Sequence, residues 1–278
     1  MRTANVAGRL VLRKDDGWID VERASGGRFA AEPQEIFERW DEFQAWAEGA
    51  EGPSVAVDES DLLSPVPSPR QILAVGLNYR DHADESGFAV PETPPVFTKF
   101  VSSVTGPYGD ITLPDGSVDW EVELVAVIGR HAWQVSRDEA WEHVAGLTVG
   151  QDLSERELQL SGPVPQFSLG KSHPGFAPLG PCLVTPDEFG NRDDLELGCS
   201  VNGEEVQKGR TSQLIFSVPD LIARLSGVLP LLPGDVIFTG TPAGVGMGRT
   251  PKRFLADGDE LVSHVEGIGT LRHRLVRA

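Results

Sequence analysis

Basic residues are scarce in this chain of 278 residues. Lys and Arg number 24 against 42 Asp and Glu, a formal net charge of −18. That balance excludes the usual nucleic-acid binder, which must face phosphates with a basic surface. Cysteine is nearly absent: there are two, Cys182 and Cys199. Two thiols build neither a disulfide framework nor a four-thiolate zinc site. Long apolar runs are missing too. A membrane-spanning helix needs about 18 apolar residues, and the longest candidate, Leu221 to Leu232, is broken by Arg224 and Pro230. The opening Met1-Arg2-Thr3-Ala4-Asn5 lacks the apolar stretch of a signal peptide. A cytoplasmic protein with no membrane or nucleic-acid partner is expected.

Turn formers, by contrast, are plentiful, with 31 Gly and 21 Pro. Together with 40% hydrophobic residues, this suits short strands and ordered loops rather than a helical bundle. Val6 to Leu12 and Trp18 to Val21 read as a hairpin around Lys14-Asp15-Asp16-Gly17. A helix is expected over about 33–48, where Ile36, Phe37, Trp40, Phe43 and Ala47 recur at helical spacing and Gly49 marks the stop. The Pro-rich connector Ser64-Pro65-Val66-Pro67-Ser68-Pro69 then separates a small N-terminal unit, 1–66, from a main domain, 67–278. In that domain, strands are expected near 71–76, 95–100, 111–113, 121–128, 146–152, 182–184, 195–201, 235–239, 260–265 and 269–276. Helices are expected only near 137–143 and 218–226. The fold class is α+β with a β-dominated body.

The run Glu121-Val122-Glu123-Leu124-Val125-Ala126-Val127-Ile128 is the most informative. Side chains alternate along a strand, so Val122, Leu124, Ala126 and Ile128 form one apolar face. Glu121 and Glu123 lead the other, at the mouth of an otherwise buried strand. Paired carboxylates repel unless one is protonated or a cation sits between them. A hard divalent ion with oxygen ligands resolves the clash, and a solvated strand end is the alternative. Asp152 is a third carboxylate at a strand end, or a cap for the turn that follows. In Asn78-Tyr79-Arg80-Asp81-His82-Ala83-Asp84-Glu85, a helical turn places His82 and Glu85 on one face. A carboxylate beside an imidazole suits a general base, although a surface ion pair shows the same spacing. The segment continues into Ser86-Gly87, expected to be mobile. Lys171 and Lys99 are cations that make sense facing an anionic substrate, or simply as solvated side chains.

In this order, these segments resemble the fumarylacetoacetate hydrolase superfamily. The matching stretches are Gly76-Leu77-Asn78-Tyr79 with His82 and Glu85, Pro95 to Lys99, Asp119 to Leu124, and Gly146 to Asp152 with Ser154 and Arg156. They continue through Gly170-Lys171-Ser172, Pro178-Leu179-Gly180-Pro181, Val201-Asn202-Gly203 and Pro233-Gly234-Asp235 into Thr239-Gly240-Thr241-Pro242. The resemblance implies a mixed β-sandwich roll and a homodimer. It also implies Mg²⁺ or Mn²⁺ held by Glu121, Glu123 and Asp152. His82 and Glu85 then correspond to a water-activating dyad, Lys171 to the lysine that polarises substrate, and Arg156, Gln159 and Thr241 to substrate contacts. The run from Gly244 to Gly248 is similar to that of members acting on 2,4-dioxo sugar acids and other acylpyruvates.

The activity this implies is metal-dependent hydrolysis of a C–C bond in a 2,4-dioxo acid, a small anionic 2-oxo acid, to pyruvate plus a carboxylic acid. Decarboxylation of oxaloacetate-like acids, or isomerisation or dehydration of 2-oxo acids, uses the same kind of site. A non-catalytic metal-binding protein is the reading from a different class.

Overall fold

The computed structural model describes residues 1–15, 17–85 and 89–277. Asp16 of the expected hairpin turn and the Ser86-Gly87 segment lie outside the described residues.

Two large sheets dominate. The longer runs, in spatial order, through Ser54–Val55, Gly17–Asp20, Arg9–Lys14, Arg2–Val6, Ala177–Val184, Val144–Gln151, Val122–Ile128, Val236–Phe238, Ile72–Val75 and Val96–Thr98. The shorter has five strands: Glu204–Arg210, Glu196–Val201, Glu260–Val265, Gly269–Arg277 and Tyr108–Leu113. Between them lies one core, where Val122, Leu124, Ala126 and Ile128 meet Leu197, Val201, Leu261 and Leu271. The other face of the long sheet, including Val125, Val127, Ala145 and Phe238, packs on Phe29, Phe37, Trp40 and Phe43. The strand expected at 121–128 forms over Val122–Ile128 and is therefore buried on both faces, which explains its near-continuous apolar sequence. Helices are few, and the β-dominated α+β class holds.

Differences from the sequence expectations have local causes. The hairpin is Arg9–Lys14 with Gly17–Asp20, and Arg2–Val6 precedes it as a separate strand turning at Ala7-Gly8. Arg2 and Thr3 pair with Val184 and Leu183, so the N-terminal strands extend the same sheet as the main body. The helix at 33–48 divides into a 3-10 segment, Pro33–Arg39, and an α-helix, Trp40–Glu48. Near 137–143 only a 3-10 turn forms, Ala140–His143. The helix Val218–Ser226 matches its expected span, with Ser217 and Asp220 forming a reciprocal capping box.

Candidate active site

Strand pairing assembles the carboxylates. Val122 lies opposite Gln151 and Glu123 opposite Gly150, so Glu121 and Asp152 meet at the same end of neighbouring antiparallel strands. The Asp152 N–H donates to the Glu121 carbonyl at 2.9 Å, and the Glu121 N–H donates to Gln151 Oε1 at 2.8 Å. Glu121, Glu123 and Asp152 each place an oxygen within 4.8 Å of the others, and all three are buried.

Cations compensate only part of this charge. Lys171 Nζ lies 2.7 Å from Glu121 Oε2 and 2.6 Å from Asp152 Oδ2. Arg156 donates to Glu121 Oε1 at 2.8 Å and, through Nε and a terminal nitrogen, to Asp119 Oδ2 at 2.9 and 2.7 Å. Burial opposes ionisation of Glu121, but the Lys171 and Arg156 charges win and hold it down at about 2. Lys171 is held up: burial works against its charge, yet Asp152 and Glu121 outweigh burial.

Glu123 is the exception. Its Oε2 accepts the Gly240 N–H at 2.6 Å, a contact made where Gly240 adopts φ +101. Burial, followed by the Asp152 and Glu121 charges, pushes its carboxyl well above the usual range. Three crowded carboxylates offering only oxygen, one of them short of positive charge, fit a divalent cation such as Mg²⁺ or Mn²⁺.

Beside this cluster is a cavity of about 190 Å³. His82, Glu121, Arg156, Gln159, Lys171 and Thr241 form its polar wall, while Val75, Leu77, Pro95, Phe97, Leu160, Phe167 and Met247 line it with apolar surface. The helix Arg80–Glu85 carries His82, whose Nδ1 is 3.8 Å from Glu85 Oε2 and has no hydrogen-bond partner among the described residues. That oxygen accepts the Gly244 N–H at 2.8 Å. Lys171 Nζ also stands 5.0 Å from the Phe97 ring centroid, over its π-face.

Of the other sequence candidates, Gln159 accepts from Arg156 at 2.9 Å. Thr241 lines the cavity, but its hydroxyl already donates to the Val122 carbonyl and accepts from Gln207 Nε2. Lys99 is placed differently from the sequence expectation of a substrate contact. Its ammonium is fully buried, donates to Asp152 Oδ1 at 2.5 Å and to the Lys171 carbonyl, and is not among the cavity-lining residues. Burial pushes its pKa down despite the Asp152 charge. Lys99 holds a carboxylate in place.

Sequence reasoning gave no role to Asp119, which organises the site. It receives Arg156 and the backbone N–H groups of Gly246 and Met247. An aspartate just ahead of a strand reads as a turn former, so only its place in the Asp119-Trp120-Glu121 run marks it out.

Known proteins are similar to this chain over most of its length. The profile of the fumarylacetoacetate (FAA) hydrolase C-terminal family matches residues 71–276. Human mitochondrial oxaloacetate tautomerase FAHD2A is 44% identical over 229 residues, spanning 82% of this chain and 73% of that protein. The 2,4-didehydro-3-deoxy-L-rhamnonate hydrolase of Sphingomonas sp. (strain SKA58) is 43% identical over 236 residues, spanning 83% and 82%. Among solved structures, a Mycobacterium smegmatis protein superposes over the whole of both chains with TM-score 0.97 and 58% identity. Maleylpyruvate hydrolase from Sphingobium sp. SYK-6, crystallised with manganese(II) and pyruvate, also spans both whole chains, with TM-score 0.79 and 27% identity. No helix of the described residues is long and apolar enough to cross a membrane.

Proposed function

The chain belongs to the fumarylacetoacetate hydrolase family, and on that premise we propose that it is a divalent-metal-dependent enzyme that hydrolyses the C3–C4 bond of a short-chain 2,4-dioxo acid. The products are pyruvate and a carboxylic acid. The observation that carries this reading is one cavity lined by His82, Glu121 and Lys171, with Glu85 directed at the imidazole. A volume of about 190 Å³ lies below the roughly 300 Å³ at which drug-sized pockets begin, which suits a small acyl group.

A divalent cation on Glu121, Glu123 and Asp152 would supply Lewis acidity toward the 2-oxo carboxylate. The protein's own groups do the rest. With Nδ1 facing Glu85, His82 has Nε2 available to take a proton from water as its oxygen bonds to C4. As the C3–C4 bond breaks, its electron pair moves onto C3 and into the 2-oxo group, and C3 then takes a proton to give pyruvate. Lys171, anchored on Glu121 and Asp152, keeps positive charge where that electron density grows. Arg156 is largely committed to Asp119, Glu121 and Gln159, so its main effect is to set the Glu121 carboxylate. The apolar wall of Phe97, Phe167, Leu160 and Met247 keeps bulk water from the reacting carbons.

A second reading is favoured by the human relative's name, oxaloacetate tautomerase. There His82 would carry a proton between C3 and the 2-oxo oxygen, with no C–C cleavage. Half-exposed or more exposed Phe100, Val101 and Leu169 support including a homodimer in the proposal, as they offer apolar surface to a second copy. A cytoplasmic location is also part of it, although the human relative is by its name mitochondrial.

The test is product identification by mass spectrometry across acylpyruvates, 2,4-dioxo sugar acids and oxaloacetate, with Mn²⁺ or with EDTA. Metal-dependent pyruvate plus a second acid is the expected result. Enol–keto exchange of oxaloacetate with no cleavage of any 2,4-dioxo acid would transfer the assignment to the tautomerase reading.

A further inference from the structure

Resting on the reading of His82 and Glu85 as the proton-transfer pair, we propose that the loop Gly244–Gly248 is the positioning device that sets this pair in register with the carboxylate cluster. Two features of the loop fix Glu85. The Gly244 N–H donates at 2.8 Å to Oε2, the same oxygen that faces His82 Nδ1 at 3.8 Å. At Gly248 the missing side chain leaves room for the carboxylate: a Cβ built there would lie 1.9 Å from Glu85 Oε1 and 2.5 Å from its carboxyl carbon.

The next turn of the same loop fixes the other half of the site. The Gly246 and Met247 N–H groups donate to the two oxygens of Asp119 at 2.7 and 3.0 Å. Asp119 in turn holds Arg156, and Arg156 holds Glu121 Oε1 at 2.8 Å. Trp120 Nε1 donates to the Gly244 carbonyl at 3.1 Å, tying the loop to the strand end that carries Glu121. Met247 lines the cavity itself. Within five consecutive residues, backbone N–H groups thus hold Glu85 directly and the carboxylate cluster by way of Asp119 and Arg156, and Met247 borders the substrate space.

The glycines have distinct reasons. Gly244 needs φ +108 and closely approaches the Val206 carbonyl. At Gly246 a Cβ would lie 1.9 Å from the Arg253 carbonyl, so substitution there disturbs backbone. At Gly248 the three atoms nearest to such a Cβ are instead all side-chain atoms of Glu85, Oε1, Cδ and Cγ. A methyl at 248 therefore moves the Glu85 carboxylate while leaving the loop's own path open.

Gly248→Ala isolates this role, and the readouts are hydrogen exchange over residues 79–85, Mn²⁺ affinity and steady-state kinetics. Exchange over 79–85 is expected to rise at least tenfold, with the Mn²⁺ Kd changed less than twofold. The kcat on the best 2,4-dioxo acid should fall at least tenfold while KM moves little, and Gly248→Ala added to Glu85→Gln should cost nothing further. Glu85→Ala supplies the reciprocal arm, and should raise exchange over 242–250. Unchanged exchange in both variants, or losses that multiply in the double variant, would overturn the proposal. The exchange and Mn²⁺ arms need no turnover. An inactive wild-type protein would therefore refute the functional reading, while those two arms would still support or overturn the loop's role.

Discussion

Replacing His273 by Gln should remove a defined part of the protein's sensitivity to acid. His273 lies on the strand Gly269–Arg277 at 1% exposure, and its Nε2–H donates to the Gly106 carbonyl at 3.0 Å. That contact fixes the tautomer, because a carbonyl only accepts. Nδ1 is then the site for a second proton, and it is buried without a partner among the described residues. Burial lowers the imidazole pKa from 6.5 to about 4, partly offset by the Gly106 contact. Between those values the unfolded chain binds a proton that the folded chain refuses. Folding is therefore unaffected by this group above pH 6.5 and loses stability as pH falls toward 4. The full window is worth about 3 kcal/mol at 1.36 kcal/mol per unit, and about 2 kcal/mol is already lost by pH 5. Urea unfolding of wild type and His273→Gln at pH 7.5 and pH 5 measures it. The wild type should lose about 2 kcal/mol more than the variant over that interval. Equal losses in the two proteins would refute the reasoning, whatever the absolute stabilities.

The carboxylate cluster yields two further expectations. Glu123→Gln removes the carboxylate that burial and its neighbours most oppose, so with EDTA present the variant should be more stable than wild type by about 1–2 kcal/mol in chemical denaturation. The same variant should lose at least about a hundredfold in Mn²⁺ affinity by calorimetry, in line with the loss of a ligand from a three-carboxylate site. Lys99→Met leaves Asp152 Oδ1 without its ammonium in a fully buried setting, and should cost about 3 kcal/mol or more in the same denaturation assay. A cost below about 1 kcal/mol would mean that Lys99 contributes no more than an exposed ion pair does.

Much of the site was legible because it sits on regular structure. Alternation in the 121–128 run already separated the two faces that the structure buries in two different cores. With Asp152 at the end of the paired strand, antiparallel register alone brings the third carboxylate to the first two. Lys99 was misplaced for the opposite reason. Its partner Asp152 is 53 residues away, and nothing local to the short strand Val96–Thr98 says which way the ammonium turns. Asp119 and the loop Gly244–Gly248 act through hydrogen bonds spanning more than 120 residues, which spacing along the chain does not reveal.

Fold elements followed the same logic. Val218–Ser226 carries its own cap and periodicity, and matched its expected span. Glu204–Arg210 was missed because Glu204, Glu205 and Lys208 are exposed, and only Val206, Gln207 and Gly209 turn inward. The expected strand at 182–184 is the end of a longer one, Ala177–Val184, whose Pro178, Gly180 and Pro181 argue against a strand until its neighbours are known.

The most direct test of the central claim compares His82→Ala with wild type on two reactions under saturating Mn²⁺: pyruvate release from the best 2,4-dioxo acid, and enol–keto exchange of oxaloacetate. If His82 activates water, pyruvate release should fall at least about a hundredfold while Mn²⁺ binding is retained. Pyruvate release at the wild-type rate in His82→Ala would contradict the account and remove the dyad from the chemistry.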